Sequence, residues 1–276
     1  KHLSSIISEN QAAFIPGRMI TDNIVVAHEV FHSLKVRTRQ ASSYMAVKTD
    51  ITKAYDRLEW RFLEETMRRM SFDSKWIRWI MLCVSSVRFS VLINGVPEGH
   101  IIPKRGIRQG DPLSPYLFIL CAEVLSHLMH QAMSDRSLTG VKVALQSPAV
   151  NHLLFADDSL FFSLANPKAG RRLKQILNLY EQVSGQAVNL RKSSITFGSK
   201  VAASVKTRMR NLLGIHNEGG NGKYLGLPEQ FNKKKGEMFK YIIEKVKAVT
   251  QGWKKNFLSH GGKEILLKAC LLYTSD

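Results

Sequence analysis

The sequence predicts an α+β fold in which helices pack on one face of an antiparallel sheet. Short runs of alternating hydrophobicity end in turn signals, which indicates strands, and longer segments between them repeat apolar residues at helical spacing. The chain has 276 residues, 44% of them hydrophobic, which is sufficient for a sizeable core. The predicted order of elements is strand, helix, hairpin, helix, hairpin, helix.

The first part of the chain begins with an amphipathic helix, predicted over residues 22–37. Alternation over residues 45–49 then predicts a short strand that ends at Asp50. Helical spacing follows over residues 55–62 and again around residues 76–84. We therefore expect Asp50 at the junction between a strand and a helix.

A β-hairpin and a long helix are predicted next. Residues 89–93 alternate into Asn94-Gly95, a strong signal for a two-residue hairpin turn. After a loop, Asp111-Pro112 is suited to the cap and first turn of an apolar helix that begins at Leu113.

The last part of the predicted sheet is a second hairpin. Two apolar arms within residues 150–164 flank a turn that carries Asp157 and Asp158. A helix is predicted over residues 167–183, closed by Gly185. A domain boundary is predicted in the Gly-rich stretch at residues 217–222, after which the chain is basic and mostly helical.

The charge of the chain favours a polyanionic partner. Forty Lys and Arg residues against 22 Asp and Glu give a formal charge of +18 and a pI near 10.0. From Arg191 to Lys268 there are 17 basic and five acidic residues. Nucleic acid is the expected partner, and a solvated basic surface is the alternative.

Cysteine usage and hydropathy exclude several other classes of protein. Cys83, Cys121 and Cys270 have no metal-ligand spacing and are odd in number, so neither a disulfide framework nor a zinc site is expected. A reducing compartment, the nucleus or the cytoplasm, fits this usage. The longest apolar stretch, residues 116–129, is interrupted by Glu123 and is too short to span a bilayer, so no membrane partner is expected.

Three acidic residues form the candidate catalytic site. Asp157 and Asp158 lie between apolar arms, where adjacent negative charges are costly unless a cation compensates them. Asp50 also ends a predicted strand, so the three carboxylates could converge at one edge of a sheet. Oxygen ligands of this kind suit Mg²⁺, with Mn²⁺ as a substitute, and two such ions can promote displacement at phosphorus. In isolation, an Asp-Asp pair is more often part of an ordinary turn.

Three segments of the chain, VKTDITKAYDRLEW, RGIRQGDPLSPYLFIL and FADD, resemble successive motifs of reverse transcriptases. The segments ISENQAAFIPGR, NLRKSSITFG, YLGLP and GWKKNFLSHGGKEILLKA extend the resemblance over nearly the whole chain, in the style of plant non-LTR (LINE-type) retrotransposons. The resemblance implies a right-hand polymerase fold. It divides the chain into partial fingers (residues 1–43), a palm with finger insertions (44–216), and a primer grip with a partial, mostly helical thumb (217–276).

The resemblance also assigns roles to individual residues. It implies that Asp50 and Asp157 are the principal metal ligands, that Asp158 supports them, and that Lys192 protonates the leaving pyrophosphate. The resemblance places three kinds of contact with the incoming dNTP. The ring of Tyr55 would block a 2′-hydroxyl, and Gln109 would lie near the sugar. The triphosphate would be held by the backbone of Ile51, Thr52, Lys53 and Ala54. For Tyr55, an ordinary core position is the alternative, and for Lys192 a solvated surface position.

The expected partners are an RNA template, a DNA primer, their hybrid and dNTPs. By the resemblance, Arg105 and Arg108 lie near template or phosphate, and the YLGLP segment, with Tyr224, Leu225 and Gly226, supports the primer end. The basic helices over residues 233–268 would lie on the hybrid, with Trp253 in the thumb core or stacked on a base. The resemblance also leads us to expect that the chain lacks the family's first fingers motif and that its last residues, LLYTSD, depart from the family's continuation.

Two functional hypotheses follow from the sequence. The first is an RNA-directed DNA polymerase that extends a primer 3′-hydroxyl by two-metal phosphoryl transfer. The second is a catalytically inactive nucleic-acid-binding remnant or a maturase-like factor, which the absent fingers motif would favour. An RNA-directed RNA polymerase is disfavoured because Tyr55 is bulky. The oligomeric state is open.

Overall fold

A computed structural model describes residues 3–36, 43–144, 146–220 and 222–229, together with positions 243–244, 247, 259–262 and 264–265. The chain divides into two compact units, residues 1–229 and residues 230–276. The first unit includes the segment that the sequence places in the primer grip. The three-part division into fingers, palm and thumb stays a prediction, and Trp253 and most of the expected thumb lie outside the described residues.

The described elements follow one another in the order expected for an α+β domain. They are α1 (Leu3–Ile6), α2 (Ile20–Val36), β1 (Tyr44–Thr49), α3 (Trp60–Arg69), α4 (Ser74–Ser85), β2 (Phe89–Ile93), β3 (Val96–Ile101), α5 (Ser114–Ser134), β4 (Val141–Lys142), β5 (Ala149–Val150), β6 (His152–Phe155), β7 (Asp158–Leu164), α6 (Pro167–Ser184), β8 (Ser194–Phe197), α7 (Ala203–Leu213), β9 (Asn217–Glu218), β10 (Lys223–Tyr224) and β11 (Leu227–Pro228).

The central sheet has five strands in the order β6-β7-β1-β8-β9. Strand β1 lies in the middle and pairs antiparallel with β7 and β8, while β8 and β9 pair in parallel. The first strand of the chain is therefore flanked by strands that come more than 100 residues later. This order brings the end of β1 beside the turn between β6 and β7.

One face of the sheet is covered by α5, α6 and α7. Met45 and Val47 of β1 and Phe161 of β7 point to this face and pack in one buried cluster with Met129 of α5 and Leu173 of α6. Alternate residues of a strand point to opposite faces, so the intervening side chains face the other way. The prediction of a helix-covered face is confirmed.

The opposite face of the sheet packs against α2. Ala46 and Phe162 form a buried cluster there with Phe31 of α2 and with Tyr224 of β10. The sheet thus carries a helix on its second face as well, which the sequence pattern did not indicate. The small hairpin β10–β11 closes part of this layer.

Most predicted boundaries agree with the structure, and two differ. The predicted helix over residues 55–62 begins only at Trp60, because residues 52–57 form turns in which Lys53 has a φ of 47°. The helix predicted from Leu113 begins at Ser114, with Leu113 as its N-cap residue, although Asp111 Oδ1 does accept a hydrogen bond from the Leu113 N–H at 2.8 Å.

The hairpin β2–β3 is formed as predicted, with positive φ at Asn94 (50°) and Gly95 (84°). Every residue of its two strands is exposed. Within the described residues, this hairpin pairs only with itself, as a separate two-stranded sheet. It therefore projects from the rest of the first compact unit.

Helix α5 is longer than the apolar stretch recognised in the sequence. At 21 residues it is long and apolar enough to cross a membrane by length and composition alone, but 56% of the relevant window is buried inside the protein. Its side chains contribute to two of the buried clusters, with Phe118 in one and Met129 in the other. Helix α5 is therefore the central helix of the core.

Behind strand β6 lies a buried polar network centred on His152. Its Nδ1 lies 2.7 Å from Asn151 Oδ1, and its Nε2 lies 2.7 Å from Ser126 Oγ. Asn151 in turn donates to the carbonyl oxygen of Met129 at 2.6 Å. Burial, and to a lesser extent the nearby His130, lowers the pKa of His152 to about 3. The folded protein therefore holds this imidazole in its neutral form.

The buried His152 predicts a loss of stability in acid. An unfolded histidine takes up a proton near pH 6.5, whereas the folded His152 does not until about pH 3. Between these pH values the unfolded state binds the extra proton, so the free energy of unfolding should fall by up to about 1.4 kcal/mol per pH unit. Urea titrations from pH 7 to pH 4 should show a shallower slope for His152→Gln than for the parent. The exposed His100→Gln variant should keep the parental slope, and equal slopes for all three proteins would contradict the assignment.

Candidate active site

The three candidate acids converge at one edge of the central sheet. Thr49 of β1 pairs with Ser159 of β7, so the next residues along each strand, Asp50 and Asp158, lie beside each other. Phe155 pairs with Asp158 across the turn, which places Asp157 at the tip of the hairpin. Residues more than 100 positions apart in the sequence therefore share one site, as their positions at strand ends predict.

The charges of these acids influence one another. Burial raises the pKa of Asp158, and the negative charges of Asp157 and Asp50 raise it further. The ammonium group of Lys48, two residues before Asp50, acts in the opposite direction. Lys48 also donates a short hydrogen bond to the Lys223 carbonyl oxygen, which connects β1 to β10. The edge is thus a concentration of negative charge, and Lys48 of β1 is a neighbouring cation.

The donor set suits a hard divalent cation. All three side chains offer carboxylate oxygens, the ligands that Mg²⁺ and Mn²⁺ accept in proteins. Among the described residues, no group of three or more His, Cys, Asp and Glu side chains is placed so that it could hold a metal ion. The mutual repulsion that raises the pKa of Asp158 would be offset by a cation bound between the carboxylates.

Lys192 lies on the other side of Asp50. Its ammonium nitrogen is 4.0 Å from Asp50 Oδ2, and its side chain is 71% exposed. The backbone of Asp50 is fixed by the same segment, because the Asp50 carbonyl oxygen accepts from the Asn189 N–H at 2.7 Å. Ser193 Oγ accepts from the Asp50 N–H at 3.3 Å. The structure therefore brings Lys192 to the acidic edge, where the sequence resemblance places it.

The loop that follows Asp50 is held by the segment after α6. The Thr52 N–H donates to the Ala187 carbonyl oxygen at 2.9 Å, and Ile51 forms an isolated bridge with Val188. The Ala54 carbonyl oxygen accepts from Gln186 Nε2 at 2.9 Å. Since the Thr52 N–H already has a partner, it is not available to a triphosphate in this state. The backbone stretch from Ile51 to Ala54 stays a predicted dNTP contact.

Gln186 is itself fixed by the protein interior. It is 2% exposed, and its Oε1 accepts from the Tyr180 hydroxyl at 2.5 Å. The same segment contains Gly185, whose φ of 77° ends α6. A Cβ atom on Gly185 would lie 2.4 Å from the Arg57 carbonyl oxygen. Only glycine permits this close approach between the end of α6 and the loop after Asp50.

The other side of this loop is held by the segment KRGIRQGDP. Gly106 and Ile107 donate through their N–H groups to the carbonyl oxygens of Leu58 and Tyr55, at 2.7 and 2.9 Å. The indole N–H of Trp60 donates to the Gly106 carbonyl oxygen at 2.7 Å. The loop after Asp50 is therefore clamped between two backbone segments.

Tyr55 lies between the core and the acids. Its ring stacks on Phe118 of α5, with centroids 5.0 Å apart and an angle of 9° between the planes. Burial and the negative charge of Asp157 raise the pKa of the Tyr55 hydroxyl. Tyr55 thus packs in the core and also senses the charge of Asp157, so the core and site interpretations of this residue are compatible.

Gln109, Arg105 and Arg108 line a cavity of about 450 Å³ beside the clamped loop. The remaining walls include Asp56, the end of α4, the start of α5 and the base of the hairpin β2–β3. All three side chains are exposed, and Arg105 Nη1 lies 3.3 Å from Glu59 Oε1. Their contacts with nucleotide, template or phosphate stay predictions.

The expected primer support is a small hairpin, β10–β11, in which Tyr224 pairs with Leu227. The Tyr224 side chain is fully buried, and burial raises the pKa of its hydroxyl. Its side chain therefore packs in the core and does not present itself to nucleic acid. The turn residues Leu225 and Gly226, with φ values of 48° and 83°, are more exposed and stay candidates for contact.

Several residues around the site were not singled out from the sequence. Lys48 faces Asp158, and Gln186 supports the loop after Asp50. Gln11 hydrogen-bonds to the backbone beside Asp157. Gln11 does belong to a segment of recognisable resemblance, ISENQAAFIPGR, which was the only signal in the sequence that pointed to it.

Comparison with solved structures defines the class of the fold. Telomerase from Candida tropicalis, in complex with a fragment of telomeric RNA, superposes with a TM-score of 0.52 and 14% sequence identity, covering 79% of this chain and 32% of the telomerase chain. Telomerase from Candida albicans gives a TM-score of 0.50 and 14% identity, over 67% of this chain and 31% of that chain. The fold is that of the reverse-transcriptase class of right-hand polymerases.

The family model "Reverse transcriptase (RNA-dependent DNA polymerase)" matches residues 1–228. The chain therefore belongs to the reverse transcriptase family, as the sequence motifs indicate.

Curated relatives include proteins of non-LTR retrotransposons. An uncharacterized mitochondrial protein of Arabidopsis thaliana is 60% identical over 68 residues, 25% of this chain and 56% of the relative. The 149 kDa protein of transposon TX1 from Xenopus laevis is 26% identical over 70% of this chain and 14% of its own length. The Pol polyprotein of the R2DM element of Drosophila melanogaster is 29% identical over 55% of this chain and 13% of its own length. The chain thus spans from about one eighth to just over half of the length of these relatives.

The contact at Gly185 generates a testable prediction about the clamped loop. Gly185 and Gly214 are both helix C-cap residues, with φ values of 77° and 73°. A Cβ on Gly214 would meet only a Leu190 side-chain atom at 3.3 Å, whereas one on Gly185 would meet backbone. Gly214→Ala should lower the free energy of unfolding by about 1 kcal/mol, the cost of a left-handed alanine. Gly185→Ala should lower it by about 3 kcal/mol because the backbone must also move.

Urea unfolding at pH 7 measures both variants against the parent. Since the two glycines share the same strain, the difference between the variants reports the close approach of Gly185 to the Arg57 backbone and the Glu59 side chain. Equal losses would show that the end of α6 does not hold the loop after Asp50.

Proposed function

We propose that this protein is an RNA-directed DNA polymerase that extends a primer 3′-hydroxyl with dNTPs. The observation that carries the proposal is the convergence of Asp50, Asp157 and Asp158 at one sheet edge. In a member of the reverse transcriptase family, this edge is where phosphoryl transfer is expected. The chain covers only part of its relatives, so the activity of the whole protein is part of the proposal.

Asp50 and Asp157 would hold the divalent ions, with Asp158 beside them. Bound ions of this kind activate an attacking hydroxyl and stabilise a leaving pyrophosphate. The negative charge of the edge, which raises the pKa of Asp158, supports this assignment. Mg²⁺ is the proposed ion, and Mn²⁺ would substitute.

The residues around the acids would bind and orient the nucleotide. The loop from Ile51 to Ala54 adjoins Asp50 and has a fixed backbone, which suits a positioning surface. Tyr55, stacked on Phe118, presents a rigid ring that would exclude a 2′-hydroxyl. Lys192 would donate a proton to the pyrophosphate from beside Asp50.

The nucleic-acid partners follow from charge and family. A formal charge of +18 suits the phosphate backbone of an RNA template paired with a DNA primer. Arg105 and Arg108 are exposed in the same cavity as Gln109 and would contact template or phosphate. The turn at Leu225 and Gly226, in which Leu225 is partly buried and Gly226 is exposed, would support the primer end.

We further propose that the chain derives from a plant non-LTR retrotransposon of the LINE type. The identity of 60% with an Arabidopsis thaliana protein supports the plant origin, and the similarity to the TX1 and R2DM proteins supports the element type. A location in the nucleus or cytoplasm, predicted from the cysteines, completes the proposal.

Primer extension on poly(rA)–oligo(dT) with dTTP and Mg²⁺ tests the proposed activity. Asp157→Asn should reduce the extension rate by at least about 100-fold, because it removes a carboxylate that is proposed to hold the divalent ions. Asp135→Asn is the matched control, since Asp135 lies at the end of α5 and interacts with Arg172. It should keep the parental rate. If the parent binds an RNA–DNA hybrid in a salt-sensitive manner but does not extend the primer, the protein would instead be an inactive nucleic-acid-binding remnant.

The ring of Tyr55 is expected to determine whether the enzyme incorporates deoxyribonucleotides or ribonucleotides. Tyr55→Val removes the ring and should raise rNTP incorporation relative to dNTP incorporation by about tenfold or more. Tyr55→Phe keeps the ring on Phe118 and should retain the parental ratio. The ratio of kcat/KM for UTP and dTTP on the same primed template measures the effect. A parent that prefers rNTPs would overturn the assignment as a DNA polymerase.

A further inference from the structure

The segment of residues 10–13 packs against the strand that leads to Asp157. Gln11 forms a parallel bridge with Leu154 of β6. The Leu154 N–H donates to the Asn10 carbonyl oxygen at 2.8 Å, and the Ala12 N–H donates to the Leu154 carbonyl oxygen at 3.2 Å. This segment is therefore an additional partner for β6, at the end of the strand nearest to the acids.

The turn between β6 and β7 has an unusual backbone. Because Phe155 pairs with Asp158, only Ala156 and Asp157 lie in the turn. Ala156 has a φ of 51°, a left-handed conformation that glycine adopts more readily than alanine. The N–H of Ala156 lies outside the ladder between the two strands. A turn of this kind needs support from another part of the chain if Asp157 is to keep one position.

Gln11 provides that support. Its Oε1 accepts hydrogen bonds from the Ala156 N–H at 3.2 Å and from the Ala13 N–H at 2.9 Å. The side chain is 1% exposed, so water does not compete for these bonds. The position of Gln11 is fixed in turn by Arg18, which donates to the carbonyl oxygens of Ile7, Ser8 and Gln11 at 2.9, 2.5 and 2.6 Å.

We propose that Gln11 is a positioning residue for the catalytic hairpin, which fixes the Ala156 backbone and thereby sets the carboxylate of Asp157 for metal binding. The inference rests on the proposed function and deepens it. Gln11 itself touches neither the substrate nor the reacting atoms. Groups that orient metal-ligating side chains commonly affect metal affinity or activity by about 10- to 100-fold when they are replaced.

Two variants separate this role from a general effect on folding. Gln11→Met keeps the length of the side chain and removes the acceptor. Asn151→Leu is the matched control, because Asn151 is also a 1% exposed amide that donates to a backbone carbonyl, that of Met129, at the far end of β6. Both variants should lower the unfolding temperature. Only Gln11→Met should weaken Mn²⁺ binding, measured by the electron paramagnetic resonance signal of free Mn²⁺, by about tenfold.

A third variant tests the mechanism through the backbone. Adding Ala156→Gly to Gln11→Met should restore part of the Mn²⁺ affinity and of kcat, since glycine adopts a positive φ without strain. Measurements of kcat and of KM for dTTP should show the loss in Gln11→Met mainly in kcat. Asp157→Asn should lose the Mn²⁺ affinity, and its signal gives the value expected when this site binds no Mn²⁺.

The outcomes distinguish this inference from the proposed function. If the parent binds Mn²⁺ but does not extend a primer, only the proposed polymerase activity is contradicted. The positioning role of Gln11 is then tested by whether Gln11→Met binds Mn²⁺ more weakly than the parent. A parent that extends a primer, with Gln11→Met equal to it in affinity and kcat, overturns the positioning role alone. Equal losses of affinity in Gln11→Met and Asn151→Leu also overturn it, because the effect would then be structural. A parent that binds no Mn²⁺ overturns both.

Discussion

The arrangement of the site depends on the backbone clamp around the loop that follows Asp50. This loop does not form regular structure, yet its carbonyl and N–H groups bond on one side to the segment after α6 and on the other to Gly106 and Ile107. The approach is so close at Gly106 and Gly185 that a Cβ atom would overlap backbone. Irregular backbone inside a protein needs such partners for its polar groups. The clamp gives Tyr55 a fixed place between Phe118 and the acids.

The order of strands in the sheet explains how the acids meet despite their mutual repulsion. Strand β1 lies in the middle of the sheet and β7 lies next to it, so Asp50 and Asp158 become neighbours through ladder hydrogen bonds that involve neither carboxylate. The free energy of strand pairing and core packing thus holds like charges together. Proteins commonly maintain local unfavourable arrangements at functional sites in this way, with the compensating stability supplied elsewhere.

The sequence predicted those structural features that depend on residues close together in the chain. The hairpin turn at Asn94-Gly95 and the helix end at Gly185 were predicted correctly because both depend on nearby residues. The helix predicted over residues 55–62 was wrong in its first turn, since distant backbone partners hold that loop in another conformation. The burial of Tyr224 and the hydrogen bond between Gln11 and the Ala156 backbone could not be predicted from the sequence either. Both depend on contacts between residues far apart in the chain, which periodicity cannot report.

The isolated position of the hairpin β2–β3 has a consequence for the evolution and engineering of this domain. All residues of its strands are exposed, and within the described part of the chain it shares no sheet with the strands that carry the acids. Its tip at Asn94-Gly95 is therefore a place where the chain can be lengthened, or where a fluorescent or affinity tag can be inserted, without disturbing the core. An insertion at this tip would leave the sheet edge that carries Asp50, Asp157 and Asp158 unchanged.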